Sequence, residues 1–191
     1  MARIKEFDPT EKLEKARDLF WEKGYHATSM QDLVGQMEIN RGSMYDTYGD
    51  KHKLFMESLQ SYALETYSEY KKAALGQKSP FKAIGQIVKK ALERSFDEGK
   101  VCMVVKSSFE MARLDVEIRE LLKQLTNALI SIFEDLILKA QKAGEIDEKK
   151  NARQAAQFIA GSFAGLWHMQ SLYDDRSMVE HMAKNIIGSL R

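Results

Sequence analysis

The sequence has few of the features that mark several large protein classes. It contains one cysteine, Cys102, and two prolines in 191 residues. A single cysteine excludes an internal disulfide and a zinc cluster built from cysteines. No 18-residue stretch is apolar and uncharged, and the first twelve residues lack the apolar run of a signal peptide. We therefore expect a cytoplasmic protein that does not bind a membrane.

An excess of positive charge is also missing. The formal net charge is +1, and residues 1–60 hold nine Lys and Arg against eleven Asp and Glu. Bulk charge therefore predicts no attraction to nucleic acid. Any contact with DNA must come from individually placed cations.

What the sequence has in quantity is helix-forming residues, and 44% of its residues are hydrophobic, enough for a sizeable core. Apolar residues at helical spacing, with capping residues and glycine stops, predict an all-α protein of about nine helices. Asp147 is predicted to cap the eighth. The predicted helices cover about 9–23, 28–38, 41–48, 50–75, 81–96, 101–113, 115–143, 155–172 and 178–190.

The segment VCMVV, residues 101–105, is the one place where the pattern also fits a strand. We favour a helix there. Cys102 lies in this apolar run, so a buried, inert thiol is the preferred interpretation, and sensing by thiol oxidation is the alternative.

The second and third predicted helices form a helix-turn-helix over about residues 28–48. Leu33, Met44 and Tyr48 can pack under the first helix, which leaves the other side free for a duplex. Thr28 and Ser29 stand at a helix start, where hydroxyl and N–H groups suit a phosphate. An ordinary three-helix packing unit explains the apolar residues but not the clustered polar ones. The predicted DNA-binding residues are Thr28, Ser29, Arg41, Gly42, Ser43, Tyr45, Asp46, Tyr48 and Lys51.

This region resembles the DNA-binding segment of the tetracycline-repressor (TetR) family. The similarity extends over about residues 8–60 and is carried by Gly24, Tyr25, Thr28, Ser29, Gly42, Ser43, Met44, Tyr45, Tyr48 and Lys51. The resemblance implies an all-helical homodimer with a helix-turn-helix domain, residues 1–52, and a C-terminal effector-binding and dimerisation domain, residues 53–191. It also implies a near-palindromic double-stranded operator and a repressor that a small molecule releases.

Two positions depart from the family pattern. Glu38 stands in the turn where glycine is common, so either a left-handed backbone there is strained or the turn differs slightly from the family pattern. Asp46 stands where a basic or imidazole side chain is common. Asp46 could accept a hydrogen bond from cytosine, orient Arg41, or repel wrong sequences while lying off the contact surface.

The C-terminal domain offers weaker signals. Met103, Phe109, Met111, Trp167 and His168 could line a pocket for an apolar effector, or could be plain core. Residues 155–172 are apolar on nearly every side, and Gly161 and Gly165 would permit close helix approach, which predicts a homodimer interface with the last helix.

We find no catalytic motif and expect neither an enzyme nor a cofactor. A metal site from His168 and His181 is an unfavoured alternative. The alternative function is an effector-independent DNA-binding scaffold or a module controlled by a protein partner. A helical enzyme is the third alternative.

Overall fold

The structure is a computed structural model that describes residues 7–191. Residues 1–6, which the predicted DNA-binding domain includes, lie outside the described part. Residues 7–191 form nine α-helices and no strand. None of these helices is long and apolar enough to cross a membrane. The helices are α1 (Pro9–Lys23), α2 (Met30–Met37), α3 (Arg41–Tyr48), α4 (Lys51–Leu75), α5 (Pro80–Glu98), α6 (Met103–Met111), α7 (Val116–Lys142), α8 (Ala152–Tyr173) and α9 (Arg176–Gly188).

Local capping chemistry sets most helix boundaries. The Asp8 carboxylate accepts from the N–H of Thr10 at 2.8 Å, and Pro9 occupies the first turn of α1. The Asn40 side chain accepts from the N–H of Ser43 at 2.8 Å and begins α3. Each cap satisfies an N–H group that has no partner within its helix.

Residues 103–111 are helical, so the favoured helix is confirmed from Met103 onward and the strand alternative for VCMVV is wrong. One detail differs from the expected elements. Helix α8 is capped by Asn151, whose side chain accepts from the N–H of Gln154 at 2.9 Å. Asp147 instead accepts from the N–H of Lys149, in the turn before α8. Both residues are good caps, and the sequence alone did not show which one the helix uses.

Two apolar clusters make up the core. The amino-terminal cluster joins α1, α2, α3 and the first half of α4, but it also takes Met103 and Met111 from α6 and Ile118 and Leu122 from α7. The carboxy-terminal cluster joins the end of α4 with α5, α8, α9 and the rest of α7. The division at residues 52 and 53 stays a prediction, and packing across it ties the helix-turn-helix to α6 and α7.

A cation and a tryptophan lie where the two clusters meet. The Arg94 guanidinium lies over the rings of Trp21, at 5.5 Å, and Tyr62, at 5.2 Å. Arg94 also pairs with Glu98 at 3.0 Å. The Trp21 indole N–H donates to the carbonyl of Val101 at 2.6 Å. Helix α1 is thereby joined to α4, α5 and the segment before α6.

Candidate nucleic-acid interface

Helix α3 has one buried side and one exposed side. Met44 is fully buried and Tyr48 nearly so, because both pack into the amino-terminal cluster. Arg41, Gly42, Tyr45 and Asp46 are exposed, and Ser43 is half-buried. The helix therefore presents a polar surface that is anchored from behind, as a recognition helix requires.

Arg41 and Tyr45 form a pair on that surface. They are four residues apart, so their side chains lie on the same side of the helix. The Arg41 guanidinium lies 5.8 Å from the centre of the Tyr45 ring, and its Nη2 lies 3.5 Å from the Tyr45 hydroxyl. Within the described chain Arg41 makes no ion pair with Asp46, so the prediction that Asp46 orients Arg41 has no support in this arrangement.

Ser29 lies at the start of α2 and forms a reciprocal cap with Asp32. Its Oγ accepts from the N–H of Asp32 at 3.1 Å, and its own N–H donates to the Asp32 carboxylate at 2.9 Å. Lys23 pairs with the same carboxylate at 3.1 Å. The Ser29 N–H, then its hydroxyl, then Lys23 lower the pKa of Asp32 to about 2. Ser29 is exposed, so the start of α2 is open to a ligand.

Two predicted DNA-binding side chains are buried and need correction. The Thr28 hydroxyl donates to the carbonyl of Gly24 at 2.6 Å, in a side chain with no exposed surface. The Tyr48 hydroxyl donates to the carbonyl of Pro9 at 2.6 Å, and burial raises the pKa of Tyr48 to about 12. Both hydroxyls satisfy backbone carbonyls near the ends of α1, so these residues hold the helix-turn-helix together.

Lys51, at the start of α4, packs against an aromatic residue. Its Nζ lies 4.4 Å from the centre of the Tyr25 ring, and burial lowers the pKa of the ammonium. Tyr25 in turn contacts Phe55, at a ring distance of 4.9 Å. Tyr25 was not among the predicted site residues, although it belongs to the motif that carries the family resemblance. Tyr25, in the turn before α2, thereby packs against Lys51.

The turn between α2 and α3 contains the expected strained residue. Glu38 has φ +54° and ψ +43°, in the left-handed region that disfavours a side chain. Its carboxylate is bound by Lys15 and lies 3.5 Å from the ammonium of Lys12. The hydrogen bond from Lys15 lowers the pKa of Glu38. Helix α1 thus holds the turn through charge.

Two residues of α6, which we call the α6 clamp, hold the junction between α1 and α2. Lys106 Nζ donates to the carbonyls of Trp21, at 2.9 Å, and Glu22, at 2.7 Å. The Glu110 carboxylate accepts from the N–H groups of Tyr25, at 3.1 Å, and His26, at 2.8 Å. Sequence reasoning missed the α6 clamp, because no local pattern reveals a partner 84 or 85 residues away.

The five residues predicted to line an effector pocket are not brought together, which corrects that prediction. Met103 and Met111 are buried in the amino-terminal cluster, whereas Trp167 is buried in the carboxy-terminal cluster. Phe109 is 83% exposed, and His168 is also exposed. Phe109 lies on the opposite side of α6 from the methionines, and His168 is turned about 100° from Trp167 on α8.

Trp167 is nevertheless unusual. Its indole Nε1 is the one buried side-chain nitrogen or oxygen without a hydrogen-bond partner among residues 7–191. Such groups are rare, because burying a donor without an acceptor is costly. Cys102 is half-buried, and burial raises the pKa of its thiol, so the inert-thiol interpretation stays a prediction.

The alternative metal site finds no support in the described residues. No group of three or more His, Cys, Asp or Glu side chains between residues 7 and 191 could hold a metal ion. His181 directs its Nδ1 to the carbonyl of Ser177 at 2.8 Å, within its own helix.

Comparison with family models gives two matches. The model described as bacterial regulatory proteins, tetR family, matches residues 13–57. The model described as a tetracyclin repressor-like C-terminal domain matches residues 82–186. One match lies over the helix-turn-helix and the other over most of the remaining helices.

Individual proteins give the same result. YezE of Bacillus subtilis (strain 168), an uncharacterized HTH-type transcriptional regulator, is 34% identical over 157 residues, 77% of this chain and 77% of its own. DhaR of Mycobacterium sp. (strain GP1), an HTH-type transcriptional repressor, is 23% identical over 80% of this chain and 77% of its own. The solved structure of a CifR cysteine mutant, complexed with a 26-bp operator, has a TM-score of 0.88 at 21% identity, covering 99% of this chain and 100% of that one. The last comparison shows a shared fold.

Proposed function

Because the chain belongs to the TetR family of bacterial transcriptional regulators, we propose that it represses transcription by placing α3 in the major groove of an operator. The observation that carries this proposal is the exposed polar side of α3, with Met44 and Tyr48 anchored behind it. A helix held in this way can present its first residues to base edges without moving relative to its domain.

We assign different roles to the exposed residues. Arg41 and Tyr45 contact bases or phosphates near the start of α3, where Gly42 and Ser43 allow close approach. Lys51 and the start of α2, at Ser29, bind the phosphates that flank the groove. Asp46 either accepts from a cytosine amino group or excludes sequences that would oppose its charge.

We propose that two copies associate through α8 and α9. Phe158, Leu172 and Tyr173 expose between 53% and 63% of their surface on α8. Gly161 and Gly165 lie on an open side of the same helix, where nothing approaches the position of a Cβ. Covering these side chains with a second subunit would remove apolar surface from water. A two-fold dimer then requires a near-palindromic operator, with half-sites about 34 to 36 Å apart or a multiple of that.

We propose that a small molecule bound in the C-terminal domain releases the operator. A groove between α5 and α9, lined by Val88, Leu92 and Ile187, offers such a molecule an apolar surface in that domain. A ligand that binds the DNA-incompetent state better shifts the population towards that state. Helix α4 contributes to both clusters, and α6 packs Val105 against the carboxy-terminal cluster while the α6 clamp holds the junction between α1 and α2. These contacts give the movement a route to the helix-turn-helix. No catalytic step is part of this function.

The test is selection of bound sequences from random DNA at one stated salt concentration, without effector. The wild type should enrich a near-palindrome. Arg41→Ala should cost about 1 to 3 kcal/mol of binding free energy if Arg41 reads a base, with relaxed preference at that base pair. Uniform loss of affinity without changed preference would identify a phosphate contact.

The same selection with Asp46→Ala separates the two roles left for Asp46. If the variant accepts additional bases at one operator position and keeps its affinity, Asp46 excludes those bases in the wild type. If the variant loses a preference for cytosine, Asp46 reads that base directly. Lys139→Ala, an exposed change near the end of α7, is the matched control. A wild-type pool no richer in any motif than the starting DNA would overturn the proposal.

A further inference from the structure

A groove on the surface of the C-terminal domain runs between α5 and α9. The two helices are antiparallel there, since Gly85 lies beside Ile187 while Phe96, a few turns later on α5, lies under the guanidinium of Arg176. At the Gly85 end the helices approach closely, and a Cβ on Gly85 would lie 4.0 Å from the Ile187 side chain. From there the groove extends along α5 to Glu93, a distance of about 12 Å.

The floor of this groove is apolar. Gly85, Val88 and Leu92 line it from α5, and Ala183 and Ile187 line it from α9. Its volume is about 280 Å³, near the lower limit for small-molecule sites. A groove of this size and shape fits a single extended hydrocarbon chain better than a ring system.

The rim carries charge that is unevenly neutralised. Glu180 pairs with Arg176 at 3.1 Å, so these two charges compensate each other at one end. On the α5 wall, Lys89 makes a longer contact of 3.6 Å with Glu93. Lys184, on the α9 wall, forms no ion pair within residues 7–191. The Lys184 ammonium is therefore the charge on this rim that an anion from outside could neutralise.

From these features we propose that the groove binds the effector, and that the effector is a single-chain amphipathic anion. Its hydrocarbon tail lies along the floor formed by the nearly buried Val88, Leu92 and Ala183. It displaces water from the apolar surface that the groove leaves exposed, including the half-buried Ile187. Its carboxylate is bound by Lys184, with Lys89 on the opposite wall. The role of this ligand as an effector rests on the proposed function. Its binding does not, because binding is measured without DNA.

The experiment is isothermal titration calorimetry of the full chain with sodium decanoate, decan-1-ol and decyltrimethylammonium. These probes share a ten-carbon chain and differ in the charge of the head. Decanoate should bind more tightly than the alcohol, and the cation should bind least well. Lys184→Gln should weaken decanoate about five-fold, the effect of a partly exposed ion pair, and leave the alcohol unchanged. Lys72→Gln, an exposed change on α4, is the matched control.

A second variant tests the position of the tail. Gly85→Leu puts an apolar side chain into the groove beside Ile187 and suits a helix interior better than glycine, and its thermal unfolding midpoint shows whether the protein stays folded. It should abolish decanoate binding. If Gly85→Leu and the wild type bind decanoate equally well, the ligand lies elsewhere, such as in the interior beside Trp167, and the proposal is overturned. The absence of decanoate binding to the wild type would overturn it as well.

Failure here is distinguishable from failure of the proposed function. Operator selection is performed without ligand. If the protein enriches a palindrome but does not bind decanoate, the proposed function stands and the proposed ligand site is refuted. Decanoate that binds in the groove and leaves operator affinity unchanged would also overturn the assignment as effector. Operator affinity is measured by fluorescence anisotropy with and without saturating decanoate.

Discussion

Replacing Glu110 with alanine tests whether α6 holds the helix-turn-helix in place. The Glu110 carboxylate accepts from two backbone N–H groups of the turn after α1, at 3.1 and 2.8 Å. A hydrogen bond to a charged group contributes about 1.5 to 3 kcal/mol, and partial exposure reduces that to about 1 kcal/mol for each bond. The expected loss of unfolding free energy is therefore about 2 kcal/mol.

For a protein of this length, a loss of about 2 kcal/mol lowers the midpoint of thermal unfolding by about 4 to 8 °C. Operator affinity should fall as well, because the turn that leads into α2 is no longer held by α6. Differential scanning calorimetry measures the first effect, and fluorescence anisotropy at constant salt measures the second.

Glu148→Ala is the matched control, because Glu148 is an exposed acid between α7 and α8. It should change the unfolding midpoint by little. If Glu110→Ala and Glu148→Ala had the same unfolding midpoint and the same operator affinity as the wild type, the Glu110 half of the α6 clamp would contribute nothing and its part in the proposed coupling route would be refuted.

Three further outcomes follow from the helix-turn-helix. Glu38→Gly and Glu38→Ala both lose the contact with Lys15, but only glycine relieves the strain of φ +54°. By calorimetry, Glu38→Gly should therefore raise the unfolding midpoint and Glu38→Ala should lower it. Tyr48→Phe should lower the unfolding free energy by about 1 kcal/mol in urea without changing the selected DNA motif, since its hydroxyl serves the carbonyl of Pro9. The pKa of Asp32 is lowered from 3.8 to about 2, so its ionised form stabilises the fold above about pH 4 and this contribution is lost as pH falls towards 2. When unfolding free energy is measured as a function of pH, Asp32→Asn should lose less stability between about pH 4 and pH 2 than the wild type. Identical pH profiles for the two proteins would contradict this prediction.

The sequence predicted the helices well because their signals are local. Asp8 and Gly24 mark the ends of α1, and Asn40 and Gly49 mark the ends of α3, as the structure confirms. Each signal depends on a residue's neighbours within a few positions. The prediction that Asp147 caps α8 failed because two good capping residues, Asp147 and Asn151, lie within four positions of each other, and the local pattern does not rank them.

The site was less predictable, because a residue type does not tell which way its side chain points. Thr28 and Tyr48 have polar groups that suit a phosphate, yet both are buried with their hydroxyls on backbone carbonyls. Phe109 and Met111 are two residues apart on α6 and face solvent and core respectively. The side of α6 that faces the core depends on how α6 packs against the other helices, and the local sequence does not contain that information.

The weak charge of the protein is compatible with DNA binding because of how its acids are placed. Asp32 is bound by Lys23, and Glu38 is bound by Lys15, so these carboxylates are compensated within the domain. Arg41, at the exposed start of α3, makes no ion pair within residues 7–191. Net charge adds all of these groups equally, but the attraction of a phosphate falls steeply beyond a Debye length of about 8 Å. A cation without a carboxylate partner, on the face that we propose meets the duplex, therefore matters more for binding than the sum over the chain.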